Sequence, residues 1–306
     1  MEDSEKMTEN DQKPTAPAEE APKEKKQHSN LFVRCISVVV MLPCLLLLLF
    51  LGTPWMWATF ILIVAFIGNL EYMRITNGDE KTSTRVVSAV LAILPATAAY
   101  LCLGDQAPMT TAHAPIILAS AIALMLWGTF LFTCFRPREI PKASSVINAT
   151  LGSSLYIGFT FLCIALLKRD FSDGTAWIMT LLCMTWFSDT GAYFVGRKFG
   201  KHKLAPILSP KKSVEGAIGG FVFALIAAVG AKFIAFPQID VCYMLLLGVV
   251  ANFLAQTGDL SESLIKRAHG VKDSGNIIPG HGGVLDRFDA LIFSAPWVYG
   301  FAYFMN

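Results

Sequence analysis

The sequence predicts an all-α, polytopic membrane protein with about nine transmembrane helices joined by polar loops. Three observations carry that prediction. Of the 306 residues, 54% are hydrophobic and only 16% charged, against about 25% charged in ordinary soluble domains. The charge is crowded at one end, because residues 1–28 hold eight acids and five lysines; the remainder has too little polar surface to cover a soluble fold. The apolar residues also come in runs long enough to cross about 30 Å of hydrocarbon as helices, the default in lipid because an unpaired backbone group there costs several kcal/mol.

Residues 1–30 are rich in Glu, Lys, Pro and Ala and short of large apolar side chains, which predicts a disordered polar tail. The tail is too long and too acidic to be a signal peptide. Spans are then expected at 33–52 and 54–71, an antiparallel pair joined by the tight turn Gly52-Thr53-Pro54, and at 86–104 and 114–135. These form an N-terminal group over 31–135. A middle group over 136–212 holds spans 146–167 and 174–196 and a basic loop. The C-terminal group, 213–306, holds a hairpin of spans at 214–236 and 240–258 and a last span at 287–305.

The positions of Lys and Arg set the topology. The even-numbered loops carry sixteen and the odd ones three, Lys168, Arg169 and Lys232. Cytosolic loops attract the positive charge, so the even loops and the tail are expected in the cytosol and the C-terminus on the far side. The seven cysteines lie in or beside apolar runs with no C-x-x-C pair, which argues against a zinc site or a disulfide framework. A net charge of +2 without basic–aromatic interleaving gives no argument for nucleic acid, and no nucleic-acid partner is expected.

Chemistry concentrates in two polar segments on the cytosolic side. The first runs from Ser188 and Asp189 through Lys203 into Ser209-Pro210-Lys211-Lys212-Ser213. Asp189 stands near the end of a span, where a carboxylate needs a cation, a metal or water. Most of the lysines singly fit positive-inside anchoring, but Ser209-Pro210-Lys211-Lys212 reads as a turn followed by paired cations at a helix entrance, suited to phosphate. The second segment holds Asp259, Lys266, Arg267, Lys272 and Asp273, then His281-Gly282-Gly283 and Asp286-Arg287-Phe288-Asp289. Asp286 and Asp289, spaced i, i+3, share a helix face at an N-terminus; alone they would fit a helix cap with a first-turn acid.

Asp259 closes the preceding span on the same side, so three carboxylates interleave with Lys266, Arg267, Lys272 and Arg287. Clustered hard oxygen ligands suit Mg²⁺, which also takes substrate phosphates. Glycines beside His281 allow close backbone approach, and His281 itself fits a local hydrogen bond or a proton carrier. The expected chemistry is metal-assisted phosphoryl or nucleotidyl transfer at the cytosolic face. No G-x-x-x-x-G-K-[ST] run is present, which excludes a Walker-type nucleotide site.

Residues 263–289, S-L-I-K-R-A-H-G-V-K-D-S-G-N-I-I-P-G-H-G-G-V-L-D-R-F-D, resemble the signature of the bacterial-type phosphatidate cytidylyltransferase family, also called CDP-diacylglycerol synthases. S-D-T-G-A-Y from Ser188 and S-P-K-K-S-V-E-G from Ser209 also resemble that family, in order and spacing. The resemblance implies a homodimeric inner-membrane enzyme with a helical fold of its own, joining CTP to phosphatidic acid with release of pyrophosphate. It implies metal-binding aspartates at Asp259, Asp286 and Asp289, which with Lys266 make the expected catalytic set. Substrate contacts are expected from Asp189, Ser209, Lys211, Lys212, Arg267, Lys272, Asp273, His281, Gly282, Gly283 and Arg287. Two departures are visible: Ser213 stands where Thr is common, which is mild, and Ala290 where Ser is frequent, so any hydroxyl role there is lost while the aspartates are intact. A CTP-dependent lipid-alcohol kinase would release CDP instead and need a base such as His281 or Asp273. An anion transporter would place its ionisable groups at the bilayer midplane in repeated halves, and neither feature is visible.

Overall fold

The computed structural model describes residues 27–306 except 110–111, 137–138 and 279–281, with side chains described from residue 39 onward. Most of the expected tail, and His281, therefore lie outside the described residues; residues 27–30 already belong to the first helix. The helices are α1 (Gln27–Leu51), α2 (Pro54–Thr76), α3 (Thr82–Cys102), α4 (Ala114–Cys134), α5 (Ile140–Ser153), α6 (Thr160–Asp170), α7 (Gly174–Phe199), α8 (Val214–Ile234), α9 (Val241–Ala268) and α10 (Leu285–Met305). A π-helical turn, Ser154–Phe159, joins α5 to α6 in one unbroken run. Each expected span is thus met by helix. Among the described residues, six segments are long and apolar enough to cross a membrane: α2, α3, α4, the α5–α6 run, α8 and α9.

Local chemistry explains several boundaries. Thr53 caps α2 by accepting the Met56 amide at 3.3 Å, and Pro54 follows at the first helical position, where its missing N–H costs nothing. Ser213 caps α8 by accepting the Gly216 amide at 3.1 Å. The helix α9 outruns the expected span by ten residues, and a two-stranded antiparallel hairpin appears where only a turn was expected: β1 (Lys203–Ala205) pairs with β2 (Ser209–Ser213). Glu215 holds the base of this hairpin, accepting the Lys201 amide at 3.0 Å and the His202 amide at 3.2 Å.

Packing in lipid depends on close approach and polar ties, since lipid tails are as apolar as the helices. Side chains such as Ile226 and Phe253 face outward, while Trp57, Tyr100, Phe161 and Trp177 fill the interior. Trp177 stacks on Phe236 with centroids 4.0 Å apart, and the Trp57 indole donates to the Ile164 carbonyl at 3.2 Å. At the end opposite the hairpin, buried Arg169 donates to the Leu103 carbonyl and to Asp170, both at 2.6 Å, and Tyr299 donates to Asp170 at 2.8 Å. These bonds tie α3, α6 and α10 together.

The seam between α7 and α8 is tight. A Cβ on Gly191 would lie 2.8 Å from the Gly219 carbonyl oxygen, and one on Gly219 would lie 2.5 Å from the Val195 Cβ. Glycine at both positions lets the two backbones meet, which places the hairpin beside the ends of α9 and α10.

Candidate active site

The two polar segments reach the same end of the α7–α10 bundle. Helix α7 continues past its apolar stretch to Phe199, so Asp189, Tyr193 and Arg197 follow one another at i, i+4 and i+8 on one face. The hairpin then folds back, and α8 starts against α7 through Gly196 and Gly216. Helix α9 brings Gln256 and Asp259, spaced i, i+3, to the same place. Together these elements enclose a cavity of about 470 Å³. Asp189 and Arg197 of α7, Ser209, Lys211 and Lys212 of β2, Asp259 of α9 and Ala290 of α10 line it, with Ser188, Tyr193 and Gln256.

Charge in the cavity is mixed and closely placed. Lys212 donates to Asp259. Asp189 lies within electrostatic range of Asp259, Lys212 and Arg287, and Asp289 within range of Asp259, Glu262 and Asp189. Carboxylates so near one another in a half-buried site repel unless a cation joins them.

Asp286 and Lys266 occupy a second, adjoining position. Lys266 donates to Glu262 at 2.7 Å and to Asp286 at 2.6 Å, and Asp286 also accepts the Ser274 and Gly283 amides at 2.9 Å. Neither residue lines the cavity. Among the described residues no group of three or more acid, His or Cys side chains is placed to hold a metal ion. Of the expected metal-binding aspartates, Asp259 is engaged by Lys212, and Asp286 by Lys266 and two amides. The donor chemistry still suits Mg²⁺, which ordinarily takes one or two carboxylates and completes its shell with water and substrate phosphate. Asp259, on the cavity wall, can supply one such carboxylate, and Asp289, which does not line the cavity but lies within electrostatic range of Asp259, a second.

Of the other expected residues, Arg267 lies in the last turn of α9, Lys272, Asp273, Gly282 and Gly283 lie on the loop between α9 and α10, and Arg287 and Asp289 lie at the start of α10. Lys272 and Asp273 are exposed, and Arg267 donates to the Val271 carbonyl at 3.1 Å, closing the end of α9. Gly282 is needed for its backbone: its φ is +86°, and its carbonyl accepts the Ile278 amide at 3.0 Å. Sequence reasoning missed three residues. Glu262 stands i+3 from Asp259 and i−4 from Lys266, a spacing visible in the sequence. Gln256, one turn before Asp259, is fixed by donating to the Ala217 carbonyl at 3.0 Å. Glu71 of α2 accepts the Val284 and Leu285 amides at 3.0 and 2.8 Å; its signal was a lone acid closing the otherwise apolar span 54–71.

Residues 32–305 match the sequence profile of the cytidylyltransferase family. The chain belongs to the cytidylyltransferase family. The phosphatidate cytidylyltransferase of Haemophilus influenzae is 32% identical over 290 residues, 89% of this chain and 98% of that relative. That of Bacillus subtilis is 44% identical over 147 residues, and that of Staphylococcus haemolyticus 43% identical over 146. Each of these two alignments covers 48% of this chain and 55% of the relative, so the match spans about half the length of these two family members.

Proposed function

We propose that the protein transfers a cytidylyl group from CTP to phosphatidic acid, releasing pyrophosphate and leaving CDP-diacylglycerol in the membrane. The observation that carries this reading is the single cavity in which Lys211, Lys212 and Arg197 face Asp189 and Asp259 at one end of a lipid-embedded bundle. The full-length relative from Haemophilus influenzae, named for this activity, supports it.

An oxygen of the lipid phosphate attacks the α-phosphorus of CTP. A new P–O bond forms as the bond from the α-phosphorus to the bridging oxygen of the β-phosphate breaks, and pyrophosphate leaves with that electron pair. The attacking phosphate is already anionic, with a second pKa of about 6, so no general base is required. Lys211 and Arg197 bind the triphosphate. Lys212 exchanges Asp259 for a phosphate oxygen as CTP arrives, freeing the Asp259 carboxylate. Bound Mg²⁺, held by Asp259 and Asp289 together with the phosphates, would supply charge neutralisation on the triphosphate and the leaving group. The cavity faces the cytosol in an inner membrane, and the protein forms a homodimer, as the resemblance implies.

The test is an assay of purified protein with labelled CTP, phosphatidic acid and Mg²⁺. CDP-diacylglycerol and pyrophosphate are expected, chelation abolishes both, and Mg²⁺ restores them. Asp259→Asn is expected to lower kcat on the order of 100-fold. CDP with a newly phosphorylated lipid, or full activity in Asp259→Asn, would overturn the reading.

A further inference from the structure

Helix α10 begins without a side-chain cap of its own, because Val284 stands at the cap position. Glu71 supplies the missing acceptor from α2. Its Oε1 takes the Val284 amide and its Oε2 the Leu285 amide. The same Oε2 accepts the Ser274 hydroxyl at 3.0 Å, and that hydroxyl accepts the Asp286 amide at 3.3 Å. Asp286 completes the circuit through the amides of Ser274 and Gly283. Glu71 is only 3% exposed. Gly275 and Gly283 border it so closely that a Cβ on either would lie 2.5 or 2.6 Å from a carboxylate oxygen.

Val284 has helical backbone, φ −66° and ψ −43°, whereas a side-chain cap needs an extended residue at that position, so the acceptor comes from outside the helix. What Glu71 adds is a bond from a membrane helix to the loop and to α10 at once. From there the contacts run through Asp286 to Lys266 and Glu262, on the helix that carries Asp259.

We propose that Glu71 is a positioning residue for cytidylyl transfer: it clamps Ser274 of the α9–α10 loop onto the first turn of α10, so that Asp286 and Asp289 stay in register with Asp259. This rests on the reading of the site given above. Glu71 meets neither substrate, and its effect passes through Ser274 and the amides that start α10.

The full chain is purified as wild type, Glu71→Gln, Glu71→Ala and Ser274→Ala. Two measurements are made on each: steady-state rates with CTP and phosphatidic acid varied separately, and hydrogen exchange over residues 271–288. Gln keeps the shape of Glu but turns one acceptor into a donor facing the amides. In Glu71→Gln, kcat is expected to fall at least about tenfold while KM for phosphatidic acid stays within about twofold. Exchange should quicken over 271–288 with the melting temperature close to wild type. Ser274→Ala, which leaves Glu71 on its two amides, should lose about threefold in kcat. Should Glu71→Ala fail to fold, the Gln and Ser274→Ala variants decide.

Wild-type kcat in Glu71→Gln would overturn the proposal. So would quickened exchange throughout α2 and α3 with unchanged turnover per folded molecule. A wild-type protein that makes no CDP-diacylglycerol overturns the functional reading instead. Exchange at Val284 and Leu285 then still decides the clamp: unchanged in Glu71→Gln, it removes the clamp; quickened, it retains it.

Discussion

At Asp286, burial alone would favour the neutral acid, but the Lys266 ammonium and the amides of Gly283 and Ser274 outweigh it and hold the carboxyl below the ordinary Asp value. A carboxyl lowered in the fold binds fewer protons there than in the unfolded chain, so its stabilisation is complete above the unfolded pKa of about 3.9 and is lost as pH falls below that. The difference in melting temperature between wild type and Asp286→Asn should therefore hold from neutrality to about pH 5 and shrink below about pH 4. Parallel acid limbs for the two proteins would refute the assignment. Individual site residues differed in how far the sequence revealed them. Asp189, Lys211, Lys212 and Asp259 were legible as ionisable groups at the ends of spans, and the cavity gathers all four. The partnership of Lys266 with Asp286 was not, because it closes over 20 residues of chain and no local spacing announces it.

Helix α9 shows why hydropathy marks a span better than a helix. Its apolar stretch ends near Gly258, yet the helix runs to Ala268, because Asp259, Glu262 and Lys266 fall on one face and Lys266 pairs with Glu262 at i, i+4. The hairpin was hidden for a different reason. Lys203–Ala205 and Ser209–Ser213 have no apolar alternation, and their pairing depends on Glu215 holding the amides of Lys201 and His202. The contact between α7 and α8 can be tested directly. Gly219→Val places atoms against Val195 and should cost about 1–3 kcal/mol, read as a lower melting temperature in detergent. Gly230→Ala serves as the control, since nothing lies within 4 Å of a Cβ there. Equal melting temperatures for the two variants would show that the seam tolerates separation.

Across the whole molecule, the number and order of the helices were legible because each must satisfy its own backbone in lipid, which leaves a long apolar run as the trace. What hydropathy could not give was which helices touch. The structure places the α7–α8 hairpin and the ends of α9 and α10 that the α9–α10 loop joins at one end of the bundle, where the hairpin, Asp259 and Ala290 line one cavity. Reporters inserted at Ile207 and at Asn276 should therefore both read cytosolic, with one fused after Asn306 reading external; opposite sides for the two loops would be incompatible with this arrangement. The bond from Glu71 to Val284 spans 213 residues, and that distance sets a schedule for biosynthesis. At about 5–20 residues per second, the ribosome delivers Val284 roughly 10–40 s after Glu71. Through almost all of that interval the nascent chain carries an acid whose donors, Ser274, Val284 and Leu285, have not yet been made.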